Sequence, residues 1–134
     1  MESNKLTIVI VTYKSEEKIF SCLDSIPKNV PIIIIENSNN QDFKKQIKNR
    51  HPNIECILTG SNKGYAVANN IGLNNVKTKY ALVLNPDTKL DKYAINNFLS
   101  SAKNQKDFWL LGPANDQGID NNDSSNHLIE VNNI

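Results

Sequence analysis

The 134 residues carry 15 basic and 14 acidic side chains for a formal charge of +1. That balance leaves no basic stripe to neutralise a run of phosphates, so nucleic acid is not an expected partner. No apolar run approaches the ~20 residues that cross a bilayer, and Met1-Glu2-Ser3-Asn4-Lys5 lacks the basic-then-apolar layout of a signal peptide. One domain with one core is expected, in the cytoplasm, with peripheral attachment to a membrane left open. Cys22 and Cys56 lie far apart in apolar patterned segments and read as small core residues rather than a metal or redox pair.

The β-branched run Leu6 to Thr12 suits a strand buried on both faces. Ser15 is placed to cap a helix that opens with Glu16 and Glu17 and carries Ile19, Leu23 and Ile26 at helical spacing before Pro27. Val30 to Glu36 reads as the second strand, Asn37 to Gln41 as a turn, and the segment through Phe43 and Ile47 as a short helix ending before Pro52. Ile54 to Leu58 is the third strand, Gly60 to Gly64 a loop, and Tyr65 to about Asn74 a helix. Tyr80 to Leu84 is the fourth strand, followed by a helix around Ala94, Ile95, Phe98 and Leu99. Phe108 to Leu111 is a fifth strand closed by Gly112-Pro113. Asn115 to His127 is polar without period, and Leu128 to Val131 is long enough for one more strand. The expected class is α/β, a mostly parallel sheet flanked by helices over residues 1–113, with 114–134 a polar loop or tail that has room for one extra strand.

In such sheets ligands bind beyond the carboxyl ends of the strands, where strand order reverses. Those ends carry Thr12-Tyr13, Glu36-Asn37-Ser38 and Asn85-Pro86-Asp87, each polar directly after an apolar run. Asp87 offers the hard oxygen that Mg²⁺ or Mn²⁺ accepts, although Asn, Pro and Asp are equally the residues of an ordinary turn. Asn62-Lys63-Gly64 and Asn70-Ile71-Gly72 repeat Asn-x-Gly eight residues apart at the entrance to a helix and on it. Gly64 permits a sharp turn that brings helix amides near a phosphate or sugar, and Gly72 inside the helix costs about 1 kcal/mol relative to Ala unless close approach compensates; a helix start with a tolerated glycine is the plain alternative. Asparagine is common here, 22 of 134 residues, so only Asn at fixed spacing beside Gly or Asp carries weight.

Taken in order, Thr7 to Lys14, Ile35-Glu36-Asn37-Ser38, Asn62-Lys63-Gly64 with Asn70-Ile71-Gly72, and Leu84-Asn85-Pro86-Asp87 resemble the motifs of family 2 glycosyltransferases over about Lys5 to Pro113. The Asn-Pro-Asp version is similar to the rhamnosyltransferase-like branch. The resemblance implies a Rossmann-like GT-A nucleotide-diphospho-sugar transferase fold with an incomplete acceptor half. It implies that Thr12 and Tyr13 line the nucleotide pocket. Glu36, beside Asn37, stands where the family usually has an Asp contacting base or ribose. Asn62, Gly64 and Asn70 fall near the diphosphate or donor sugar. Asn85 and Asp87 occupy the outer places of an Asp-x-Asp metal motif, with a neutral Asn in the first. The implied cofactor is Mg²⁺ or Mn²⁺, and the implied partners are a nucleoside-diphosphate sugar and a glycan or lipid-linked acceptor.

Two departures matter. Glu for Asp at position 36 lengthens the arm by one methylene, and only 47 residues follow Asp87, with no Glu-Asp pair to supply the family's catalytic base. Asp116, Asp120, Asp123 and Glu130 sit in a polar segment and read as solvated loop, and His127 reads as a surface residue, so the base stays unassigned. Two functions follow. One is inverting, metal-assisted sugar transfer; the other is a truncated nucleotide-binding or assembly module of the same fold, with an exposed sheet edge that leaves room for a homodimer.

Overall fold

The computed structural model describes residues 5–105, 110–111 and 127–130. Its strands are β1 Leu6–Thr12, β2 Ile32–Glu36, β3 Glu55–Leu58, β4 Tyr80–Leu84, β5 Leu110–Leu111 and β6 His127–Glu130. The helices are α1 Ile19–Asp24, α2 Gln41–Arg50, α3 Tyr65–Asn74 and α4 Ala94–Asn104. The sheet runs β3-β2-β1-β4-β6-β5. β1 pairs in parallel with β2 and β4, and β2 with β3, whereas β6 is antiparallel to both β4 and β5.

Every residue of β1, β2 and β4 is buried, as runs sandwiched between helix layers must be. The two-residue period of a strand divides them between two cores. Leu6, Ile8, Ile10, Ile32, Ile34, Tyr80, Leu82 and Leu84 meet the apolar stripes of α1, α2 and α4, including Ile19, Phe43, Ile47, Ile95 and Leu99. On the opposite face Val9, Val11, Ile33, Ile35 and Ala81 meet Ala68 of α3 and Val76. Gly72 brings α3 down onto that face: a Cβ there would run into Cγ1 of Val9 and lie 3.2 Å from Cγ1 of Ile35.

Several boundaries differ from the sequence reading, among them β6, which starts at His127 rather than Leu128, and α1, which ends at Asp24 before Ile26. Ser15 is not a side-chain cap; its hydroxyl donates to the Tyr13 carbonyl at 3.2 Å, residues 16–18 form a turn, and α1 starts only at Ile19. Its backbone carbonyl accepts from the amides of Lys18 and Ile19 instead. Asn40 does cap α2, accepting from the Phe43 amide at 3.0 Å. The second and third strands each begin later than the apolar runs, at Ile32 and Glu55. The expected start of the fifth strand at Phe108 lies outside the described residues. β6 enters between β4 and β5, an antiparallel insertion into a sheet that begins parallel.

Candidate functional site

Because β1, β2, β3 and β4 are mutually parallel, their carboxyl ends share one rim. The chain winds outward from β1 to β2 and β3 on one side and to β4 on the other, so strand order reverses between β1 and β4. Thr12-Tyr13 and Asn85-Pro86-Asp87 therefore flank the switch point where α/β sheets bind ligands, and Glu36 ends the neighbouring strand. Glu36 and Asp87 lie on the same rim with the end of β1 between them.

Thr12 and Glu36 are paired on the last rung of the β1/β2 ladder. The Thr12 hydroxyl donates to Oε2 of Glu36 at 2.7 Å, and Ser38 donates to Oε1 at 2.6 Å. Thr12 is fully buried and Glu36 is 1% exposed, so both carboxylate oxygens are held by hydroxyls inside the protein. The next residue is a hub. Asn37 Nδ2 donates to Asn62 Oδ1 at 3.1 Å and the Gly64 carbonyl at 3.3 Å, while its Oδ1 accepts from Thr59 at 3.0 Å and the Lys63 amide at 3.1 Å. Asn62 also accepts from the Gly64 amide at 3.0 Å. This network fixes the loop that launches α3, with Gly64 at φ 86° as the residue before its first turn. Nothing lies within 4 Å of a Cβ built on Gly64, so glycine is required there by backbone conformation and not by space.

Tyr13 is exposed, and Lys14 beside it adopts φ 54° with its Nζ 5.4 Å from the Tyr13 ring centre. A left-handed non-glycine residue costs about 1–3 kcal/mol and concentrates at functional sites. Asn85, Pro86, Asp87 and Thr88 form a hydrogen-bonded turn, the Thr88 amide reaching the Asn85 carbonyl at 3.1 Å. The turn leaves Asp87 exposed at the rim. Among the described residues no group of three or more His, Cys, Asp or Glu gathers for a metal. A divalent ion would fit Asp87 and Asn85 only as a shared site, with the hard phosphate oxygens of a ligand completing its shell.

On α3 the structure separates the two adjacent asparagines. Asn70, singled out by its spacing to Gly72, is exposed. Asn69 faces the sheet on the stripe of Ala68 and Gly72, is 8% exposed, and its Oδ1 has no hydrogen-bond partner among the described residues. The signal was available in its position three residues before Gly72, on the same helical face. Ser38 and Thr59, the hydroxyls that hold Glu36 and Asn37, were also not singled out. Of the acids and histidine after Gly112, Asp116, Asp120 and Asp123 lie outside the described residues, and only the backbones of His127 and Glu130 are placed, in β6.

Burial pushes the Cys22 thiol up to about 12, with the nearby charge of Asp87 adding to it. Burial and the charge of Glu36 push Cys56 up to about 11. Both are thiols at neutral pH, as expected of core residues. A groove of about 560 Å³ between the end of α1, residues 27–32 and residues 50–54 opens at the opposite rim, away from all of these groups.

The model of the family described as Glycosyl transferase family 2 matches residues 7–132. The chain belongs to glycosyl transferase family 2. It is 31% identical over 125 residues to a low-salt glycan biosynthesis hexosyltransferase, Agl10, of Haloferax volcanii, covering 89% of this chain and 40% of that protein. It is 37% identical over 109 residues to a teichoic acid poly(glycerol phosphate) polymerase of Staphylococcus epidermidis, covering 75% of this chain and 15% of the relative. The chain therefore spans well under half the length of these curated relatives. Among solved structures, the mannosyltransferase PcManGT from Pyrobaculum calidifontis, in complex with GDP-Man and Mn²⁺, superposes with a TM-score of 0.69 at 13% identity, over 94% of this chain and 44% of that one. S. aureus TarS 1-349 superposes with a TM-score of 0.65 at 16% identity, over 75% of this chain and 32% of that one. The family 2 chain thus has the GT-A fold, and its parallel strands with their flanking helices are the shared part. Among the described residues no helix is long and apolar enough to cross a membrane.

Proposed function

We propose that this family 2 chain is the donor-binding half of a glycosyltransferase that moves a sugar from a nucleoside diphosphate to a hydroxyl of a glycan or lipid-linked acceptor, on the cytoplasmic side. The observation that carries this reading is the convergence of Thr12, Glu36 and Asp87 at one rim, beside the β1/β4 switch point. Tyr13 supplies an exposed ring for the base, and Glu36, whose oxygens each retain a lone pair, underlies the base and ribose. Asn62, Gly64 and the first amides of α3 stand where a helix start receives an anion. Asn69 adds an amide oxygen that lacks a protein partner among the described residues, and Asn70 lies beside it on the solvent side.

In transfer, the acceptor oxygen attacks the anomeric carbon as the bond to the diphosphate breaks, and the acceptor proton passes to a base that we assign to no described residue. Inversion follows from a single in-line displacement. Asp87, with Asn85, would hold Mg²⁺ or Mn²⁺ jointly with the donor phosphates, and the bound ion would offset charge on the departing diphosphate. The mannosyltransferase with GDP-Man and Mn²⁺ supports this reading through its shared fold. The Asn-Pro-Asp turn is the feature similar to the rhamnosyltransferase-like branch, and the donors to test are dTDP-, UDP- and GDP-sugars.

The test is calorimetric titration with UDP, GDP and dTDP, with and without Mn²⁺, followed by a product and hydrolysis assay with the matching sugars. Metal-dependent binding that Asp87→Ala removes is the expected result; no binding of any nucleotide would refute the assignment. A second reading is a nucleotide-binding or assembly module of the same fold without turnover, in keeping with a catalytic base that we assign to no described residue. Binding without transfer or hydrolysis would select it.

A further inference from the structure

Asp87 stands on a short, exposed connection between β4 and α4, yet that connection is tied down at both ends by one turn of α1. At its start, the thiol of Cys22 lies 3.8 Å from the Asn85 carbonyl. At its end, the Leu90 amide donates to Oγ of Ser25 at 2.9 Å, while the Ser25 hydroxyl donates to the Cys22 carbonyl at 2.6 Å. Ser25 closes α1, its own amide reaching the Cys22 and Leu23 carbonyls. Its one hydroxyl proton is thereby spent within the helix, so a lone pair is what it presents to Leu90. Leu90 also packs against the core that contains Cys22, Leu23 and Ile26. The distance between the two anchors along the chain is five residues, and Asp87 lies between them.

We infer that Ser25 is a positioning residue for the Asp87 carboxylate: with Cys22 it clamps residues 85–90 to α1, so that the rim oxygen meets a metal-bound donor without first being ordered. The inference rests on the proposed donor site. It assigns a role to a residue outside the strand-end motifs, 62 positions from Asp87 in sequence. Holding a ligand group in place before binding removes an ordering cost that a loose loop would have to meet. The local hydrogen bond that α1 needs at its own end survives in Ser25→Thr and is lost with the rest of the hydroxyl in Ser25→Ala.

The test compares the wild-type chain with Ser25→Ala, Ser25→Thr and Thr7→Val. The last removes a part-buried hydroxyl pair, Thr7 with Thr78 at 2.7 Å, at the amino-terminal end of β1. Nucleoside diphosphate affinity is measured by calorimetry with Mn²⁺ and with EDTA, and amide exchange is followed over residues 85–90. Ser25→Ala should weaken Mn²⁺-dependent binding by roughly fivefold, the worth of one such hydrogen bond, leave binding in EDTA unchanged, and speed exchange at Leu90. Ser25→Thr should restore both, and Thr7→Val should alter neither. Equal losses in Ser25→Ala and Thr7→Val, or wild-type metal-dependent affinity in Ser25→Ala, would overturn the positioning role while leaving the donor site standing. A wild-type chain that binds no nucleotide refutes the donor site itself, one that binds without dependence on Mn²⁺ refutes the metal role of Asp87, and either result removes the positioning role whatever Leu90 exchange shows.

Discussion

The Thr12 hydroxyl donates to the Glu36 carboxylate at 2.7 Å across the last rung of two parallel strands, where neither side chain meets solvent. A carboxylate buried beneath a ligand rim is tolerable because its oxygens are shared between Thr12 and Ser38. The pair thus ties the end of β1 to the end of β2 at the rim.

Thr12→Val should therefore cost about 1–3 kcal/mol, the penalty for stripping a partner from a buried acceptor, whereas Thr12→Ser should stay close to wild type. Urea unfolding measures both. A double-mutant cycle with Glu36→Gln should show that the two losses are not additive; additive losses would mean that the 2.7 Å contact contributes nothing.

Gly72→Ala opposes two effects of different size. Alanine gains about 1 kcal/mol of helix propensity, but its methyl meets Val9 and Ile35 side chains of a packed sheet, where overpacking costs about 1–3 kcal/mol. We expect net destabilisation with a lowered urea midpoint, and a raised midpoint would show that α3 can ride outward.

Gly64→Ala separates conformation from space. Nothing obstructs the methyl, but φ 86° with ψ 160° is a region that L-residues avoid, at roughly 1–3 kcal/mol. Circular dichroism should show the fold intact, while nucleotide affinity falls because the start of α3 must shift. Unchanged affinity would remove the amides of α3 from the donor site.

Asp87→Asn should leave thermal stability within about 0.5 kcal/mol of wild type, as for an exposed turn residue, and abolish the Mn²⁺-dependent part of nucleotide binding. Loss of stability with retained metal dependence would reverse the assigned role.

The thiols yield a pH prediction with a definite sign. With values near 12 for Cys22 and 11 for Cys56 against an ordinary 9, the folded protein holds these protons more tightly than the unfolded chain. Their contribution is complete below pH 9 and is lost as pH rises towards 11 and 12. Iodoacetamide at pH 8 should leave both cysteines unmodified in the native protein and alkylate both in urea; rapid native labelling of Cys22 would contradict its burial.

What the sequence determined by itself was the layered architecture and the rim on which to look. Runs such as Leu6 to Thr12 and Tyr80 to Leu84 are β-branched or apolar throughout, and only burial on both faces accommodates such runs, so their strands, order of appearance and polar ends were legible before any coordinates. Local rules failed where a side chain found a partner other than the one the rule names. Ser15 looks like a cap, yet its hydroxyl turns back to Tyr13, and Glu16 accepts from Asn40 at 2.7 Å, a residue 24 positions away. Periodicity cannot say that β6 slips in between β4 and β5, because pairing between distant segments depends on which sheet edge is open. Nor could spacing tell Asn69 from Asn70, or show Glu36 enclosed by two hydroxyls and Ser25 reaching Leu90. Those outcomes were decided by tertiary structure, since a side chain's partners are set by what packing leaves within about 3 Å of it, and sequence distance carries no record of that.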